Sequence, residues 1–142
     1  MLKFIFLTSN FYADYSECEE IEQKETRPYI RIQIVVNGVT WAVPLRSHID
    51  HPHVIWTDKA NGCGIDFSKA VVVTKPGKYI SGTQPYIRPQ EFKVLKQIDE
   101  HRIAERLKKY ISDYKKAKKK PNIPRNKNLL KCSTLQYFEK YI

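Results

Sequence analysis

Ten consecutive residues, Pro44-Leu45-Arg46-Ser47-His48-Ile49-Asp50-His51-Pro52-His53, gather a guanidinium, a hydroxyl and three of the chain's four histidines. One chemistry for such a set is metal binding through His48, His51 and His53, with Cys63 as a fourth ligand. That spacing matches no standard zinc site, and no acidic ligand pair accompanies it. The other is cleavage of RNA without a metal, which needs a base for the ribose 2′-hydroxyl, a proton donor for the departing 5′-oxygen, and fixed positive charge on the phosphorane. Histidine titrates near neutrality and serves as acid or base. Arginine offers permanent donors shaped for phosphate oxygens. Together with Arg27 and Tyr29 upstream, Arg46, Ser47 and His48 supply each of these groups. A plainer reading has Arg27 and Arg46 only holding phosphates while the histidines cap a loop. No nucleotide-binding glycine loop, glycosidase-type carboxylate pair or Gly-x-Ser-x-Gly elbow offers another chemistry.

These residues need elements to bring them together. Tyr29–Val36 is rich in Ile and Val, Asn37-Gly38 carries the residues of a tight hairpin turn, and Val39–Leu45 reads as the return strand. Antiparallel pairing centred on Asn37-Gly38 sets Arg27–Tyr29 beside Arg46–His48. Leu2–Leu7 reads as a first strand ended by Thr8-Ser9-Asn10, and residues 11–26 as an acidic stretch with a short helix. Residues 46–63 read as irregular, Gly64–Val73 as one or two strands closed by Lys75-Pro76-Gly77-Lys78, and Tyr79–Ile80 as a short strand. A long helix starts at Pro89, with Ile103, Leu107, Tyr110, Ile111 and Tyr114 on one apolar face. Phe92, Leu95 and Ile98 fall out of that phase, which predicts a break near Asp99–Arg102. Pro121 and Pro124 end the helix and open a basic linker. Ser133 and Gln136 form a capping-box signature for a last short helix carrying Leu135, Phe138 and Tyr141. The pattern predicts a single α+β domain, a twisted antiparallel sheet with surrounding helices.

The 142 residues suit one domain. Their net charge of +10 is a local property: residues 101–132 hold twelve Lys and Arg against Glu105 and Asp113, and the remainder balances. Such a patch is the footprint of a polyanion, because Lys and Arg release condensed counterions on meeting phosphates. Tyr110 and Tyr114 interleave with it, and aromatic rings are what unpaired bases stack on, although helical tyrosines also serve as core. Cys18, Cys63 and Cys132 are odd in number and far apart, which predicts reduced thiols. No apolar run approaches the ~20 residues of a membrane span. The amino-terminal run is too short for a signal peptide, so a cytoplasmic location is expected.

Arg27-Pro28-Tyr29-Ile30, the Asn37-Gly38 hairpin, Pro44-Leu45-Arg46-Ser47 and Gly64-Ile65-Asp66-Phe67-Ser68-Lys69-Ala70-Val71-Val72-Val73 resemble the toxins of type III toxin–antitoxin systems. These are the ToxN/AbiQ-like endoribonucleases, and the chain looks most similar to their TenpIN branch over roughly residues 1–110. The resemblance implies a sheet akin to the MazF-like toxins and cofactor-free, sequence-selective RNA cleavage leaving a 2′,3′-cyclic phosphate. It implies as partner an antitoxin RNA, a repeat transcript cut into pseudoknots that wrap toxin subunits into a closed assembly, and with it growth arrest and abortive infection against phage. The family's basic residue ahead of the first hairpin strand falls on Arg27 and its serine on Ser47. The chain departs from the pattern at Arg46 and at His48-Ile49, which leaves the acid and the base unassigned. The basic helix and linker then bind RNA through Arg102, Arg106, Lys108, Lys109, Lys115, Lys116 and Lys119, with Lys59 and Lys69 flanking the groove. A non-catalytic protein that clamps structured RNA is the alternative, and a toxin with a protein antitoxin a third.

Overall fold

The computed structural model describes residues 2–21 and 29–142. Its spine is the expected hairpin, β2 (Arg31–Val36) and β3 (Val39–Arg46), paired from Arg31↔Pro44 to Val36↔Val39. Asn37 and Gly38 close it with φ of 52° and 77°, the two positive values that match a two-residue turn to strand twist. β1 (Lys3–Ile5) adds to the outer edge of β2. On the other side β3 changes partner along its length. Trp41 and Ala42 pair with β6 (Val71–Val72), whereas Leu45 and Arg46 pair with β5 (Cys63–Asp66), which in turn pairs with β4 (Val54–Asp58). The result is an antiparallel sheet ordered β1-β2-β3-β5-β4 with β6 branching from β3.

Five helices accompany the sheet among the described residues: α1 (Ser9–Asp14), α2 (Pro76–Tyr79), α3 (Pro89–Leu95), α4 (Glu100–Lys119) and α5 (Pro124–Cys132). The break expected near Asp99 is present, with Asp99 accepting the His101 backbone N–H at 3.2 Å as the cap of α4. Ile103, Leu107, Tyr110 and Tyr114 of α4 join Ile32, Ile34, Trp41, Val43 and Phe67 in one core. The fold is therefore a single α+β domain, as the pattern predicts.

Several elements differ from the expectation. Residues 46–63 contain β4, whose Val-Ile-Trp-Thr run is flanked by His, Pro and Asn that disguise it. Thr8 does not end a strand in a turn but caps α1 through its hydroxyl, 3.4 Å from the Phe11 backbone N–H. Tyr79 closes a helical turn, and only Ile80 bridges to Leu7. The segment after Pro124 is helix α5 rather than a linker, with proline at its first turn, where the missing N–H costs nothing. The final helix is a pair of 3₁₀ turns capped by Ser133, whose hydroxyl accepts the Leu135 N–H at 3.2 Å.

Gly64 is required where β5 pairs with β4, opposite Trp56. A Cβ there would lie 2.6 Å from the Ile55 carbonyl oxygen and 3.1 Å from the Trp56 Cα, both backbone atoms that cannot swing aside. Gly64→Ala is expected to lower stability by about 1–3 kcal/mol, read from the urea midpoint. Gly77→Ala, which meets open space, is the matched control and should leave the midpoint within about 0.5 kcal/mol of the parent.

Candidate active site

The site forms where the sheet is interrupted. Between β5 and β6 the chain makes one 3₁₀ turn, Phe67–Lys69, and Asp66 caps that turn by accepting the Ser68 N–H at 2.9 Å. Asp66 is fully buried. Its second oxygen meets Arg46 Nη1 at 2.7 Å, while the first also accepts the Ser68 hydroxyl at 2.6 Å and lies 3.1 Å from His51 Nε2. Burial by itself would raise this carboxyl, but hydrogen bonds from His51, Ser68 and Arg46 outweigh it and hold the group at about 2.

This cluster contains Ser, His and Asp without the geometry of a catalytic triad. Ser68 Oγ and Asp66 Oδ1 both approach the same imidazole nitrogen, His51 Nε2. The other nitrogen, Nδ1, accepts the His53 backbone N–H at 3.1 Å, which leaves Nε2 as the hydrogen-bearing one. Ser68 thus has a carboxylate to donate to and no free base to activate it. The carboxylate aligns the guanidinium of Arg46 and the ring of His51.

His53 is different. Its ring lies 5.6 Å from that of His51 and 5.1 Å from that of Tyr110, edge to face with the latter. Its ring nitrogens have no hydrogen-bond partner among the described residues. Burial, and the neighbouring His51, push its pKa below the ordinary 6.5, so the imidazole is neutral, with a lone pair available, at physiological pH. Tyr110 donates to Ser133 Oγ at 2.8 Å, and burial raises its own pKa.

These side chains form the floor of a groove of about 980 Å³. One wall is the carboxyl-terminal half of α4, with Lys116 and Lys119, and the Lys120 that follows it, and the other is α5, with Arg125, Asn126 and Leu129. Six cationic side chains, including Arg46 and Lys69, line it against Asp50 and Asp113 among the described residues. α5 fully buries none of its residues; Leu129 and Leu130 rest half-buried against the core.

The residues singled out from the sequence divide between the groove and the rest of the surface. Tyr29 and Arg46 do come together, the guanidinium 5.9 Å from the ring centroid, because pairing continues past the strand ends with Leu45 N–H donating to Ile30 O at 2.9 Å. Arg27 lies outside the described residues. Ser47 and His48 are exposed on the loop beyond β3 and are not among the groove's lining residues. His48 takes a positive φ of 56° as the chain turns back to pair Ile49 N–H with Gly62 O. Lys69, Lys116 and Lys119 line the groove, whereas Arg102, Lys108, Lys109 and Lys115 are exposed elsewhere on α4 and Lys59 is exposed on the turn after β4. Arg106 is used inside the fold, donating to the Val54 carbonyl at 3.0 Å with its guanidinium over the Phe67 ring. Lys108 pairs with Glu105 and Lys109 with Asp113 along the helix. Tyr114 is buried and donates to Glu139.

Among the described residues no three or more His, Cys, Asp or Glu are grouped so as to hold a metal ion. The imidazoles of the proposed ligand set are divided, His51 being engaged on both nitrogens and His48 being outside the groove. The three cysteines are free thiols. No helix among the described residues is long and apolar enough to cross a membrane. The chain matches no known protein-family model, no curated protein and no solved structure.

Proposed function

We propose that the protein is an endoribonuclease that needs no metal and cuts RNA laid along the groove between α4, α5 and the Asp50–His53 loop. The observation that carries this reading is the pairing of a neutral, unengaged imidazole on the groove floor, His53, with a carboxylate-anchored guanidinium, Arg46, beneath cationic walls. In the reaction His53 takes the proton of a ribose 2′-hydroxyl, and the 2′-oxygen attacks the adjacent phosphorus. The bond from phosphorus to the 5′-oxygen breaks, and that oxygen takes its proton from solvent. Arg46, held in place by Asp66 before the substrate arrives, stabilises the added negative charge. The products are a 2′,3′-cyclic phosphate and a free 5′-hydroxyl. Tyr29, whose ring lies beside the Arg46 guanidinium, helps to orient it.

The same groove accommodates a folded antitoxin RNA. With the motif resemblance, this supports a cytoplasmic toxin of a type III system, inhibited by the repeat pseudoknot RNA it processes and closed with it into a hetero-oligomer. One observation favours the non-catalytic alternative: His51 and Ser68 are committed to Asp66 and to the backbone, as in a surface built only to hold RNA.

Purified protein incubated with long RNA in excess EDTA distinguishes the two. Discrete fragments ending in cyclic phosphate, absent with Arg46→Met, are the expected result. Intact RNA that is retarded on a gel would remove the enzyme and leave the binding protein. RNA neither cut nor retarded would remove both.

A further inference from the structure

Arg31 is a cation where a strand residue of this sheet needs none. It is 2% exposed, its Nη1 reaches the Lys69 carbonyl at 3.4 Å, and the uncharged Tyr12 hydroxyl lies beside it, while its Nε has no close hydrogen-bond partner and no carboxylate pairs with it among the described residues. A buried guanidinium cannot shed its proton at physiological pH, and leaving its charge uncompensated is among the costliest arrangements in a protein interior. Period-2 alternation along the paired strands puts Tyr29 and Arg31 on the same face as Pro44 and Arg46. That face lines a cavity of about 10 Å³, bounded also by Glu20 and Lys69. With Glu20 bound to Lys69 the space holds one water, and it grows only if that carboxylate leaves.

Arg46 and Lys69 line both this cavity and the groove, so the cavity adjoins the groove's inner end across these two side chains. Lys69 Nζ closes it, bound to Glu20 Oε2 at 2.8 Å and to the Cys132 carbonyl at 2.7 Å. An anion reaching Arg31 must therefore take the place of a carboxylate already at Lys69.

We infer that the inner end of the groove is a phosphate subsite, in which Arg31, Arg46 and Lys69 hold one phosphate of the RNA and from which that phosphate displaces Glu20. The inference rests on the groove being an RNA site. A strand phosphate presents two anionic oxygens to a guanidinium fork as a carboxylate does, so it can replace the Glu20 carboxylate at Lys69 one for one while its tetrahedral shape also turns an oxygen towards Arg31 and Arg46. Glu20 acts as a built-in competitor, so a free anion gains little there, whereas a phosphate tethered to a strand already bound along the groove arrives at high effective concentration. The subsite thereby favours a long strand over mononucleotides.

The test uses the full chain and a fluorescein-labelled, fully 2′-O-methylated oligonucleotide long enough to span the groove, which binds without being cut. Glu20→Gln is expected to tighten binding roughly fivefold, the worth of a part-exposed ion pair. Glu17→Gln removes the same charge from an exposed position three residues away and is expected to change binding by less than twofold. In a Lys69→Gln background the Glu20→Gln gain should vanish. Equal gains from Glu20→Gln and Glu17→Gln, or a gain that survives without Lys69, would overturn the subsite and leave the RNA groove standing. No binding by the parent or any variant would overturn the groove reading and the subsite with it.

Discussion

Asp66→Ala is expected to cost about 3–5 kcal/mol of folding stability, the penalty for stripping one partner from a buried ion pair. Among the described residues the carboxylate is the one acidic group that meets all three of Arg46, Ser68 and His51, and its loss strips a buried hydroxyl and a half-buried guanidinium of the acceptor they share. It also releases the cap of the 3₁₀ turn that carries Ser68 and Lys69. The effect depends on pH in a fixed direction. The folded carboxyl is held at about 2 against an ordinary 3.8, so its contribution is complete above pH ~4 and is lost as the pH falls through 2. That difference corresponds to about 2 kcal/mol. Urea unfolding of parent and variant at pH 7 and again near pH 2 measures it: the gap between the two proteins should narrow in acid by about that amount. A gap of equal size at both pH values would mean that the ionised form contributes nothing.

His53→Gln is expected to lower single-turnover RNA cleavage by about 10²–10⁴-fold, the usual contribution of a positioned general base. Binding of a non-cleavable strand should be nearly unchanged, because glutamine keeps the volume and polarity of the ring while lacking its titratable nitrogen. The pH profile carries a second signature. Burial and the neighbouring His51 lower the His53 pKa, so the base stays deprotonated to more acid pH than a free histidine. Cleavage by the parent should fall only as the pH drops below the ordinary 6.5, and this acid limb should be missing from the residual rate of the variant. Near-parental cleavage by His53→Gln would exclude this residue as the base and direct attention to Ser47 and His48 on the neighbouring loop.

Much of the scaffold was legible because its signals are local. Asn37-Gly38 between two Ile/Val runs set the register that puts Tyr29 beside Arg46, and the phase change before Ile103 marked the cap at Asp99. The charge count located the groove's walls, since Lys116 and Lys119 follow from helical spacing. The floor was less legible, for reasons that belong to tertiary structure. Asp66 and Ser68 look like ordinary turn residues until β3 exchanges one partner strand for another and buries them. His53 looks like one of three equivalent histidines until the ring of Tyr110 is laid against it. Arg31 alternates with Ile30 and Ile32 as a solvent-facing residue would, and it becomes an interior cation where residues distant in sequence, Glu20 and Lys69 among them, close over it. α5 was hidden by its composition, because a lysine-rich segment between prolines reads the same whether or not it is helical.

The two-residue hairpin turn has a consequence for how the chain tolerates change. Tyr29, Arg31, Pro44 and Arg46 share one face of the sheet only because the count of residues between them, through Asn37 and Gly38, is what it is. The turn is some eight residues from Tyr29, roughly 25 Å along the strand. Shifting the pairing by a single residue would carry Arg31 and Arg46 to the opposite face and bring Ile32 and Leu45 into their places. One added or deleted codon at the tip would thus rewrite the distant site as thoroughly as replacing each of its residues. The buried run of Ile32, Ile34 and Val36 opposes that shift with the full weight of the core, so the packing that folds the domain also acts as the reading frame for its chemistry.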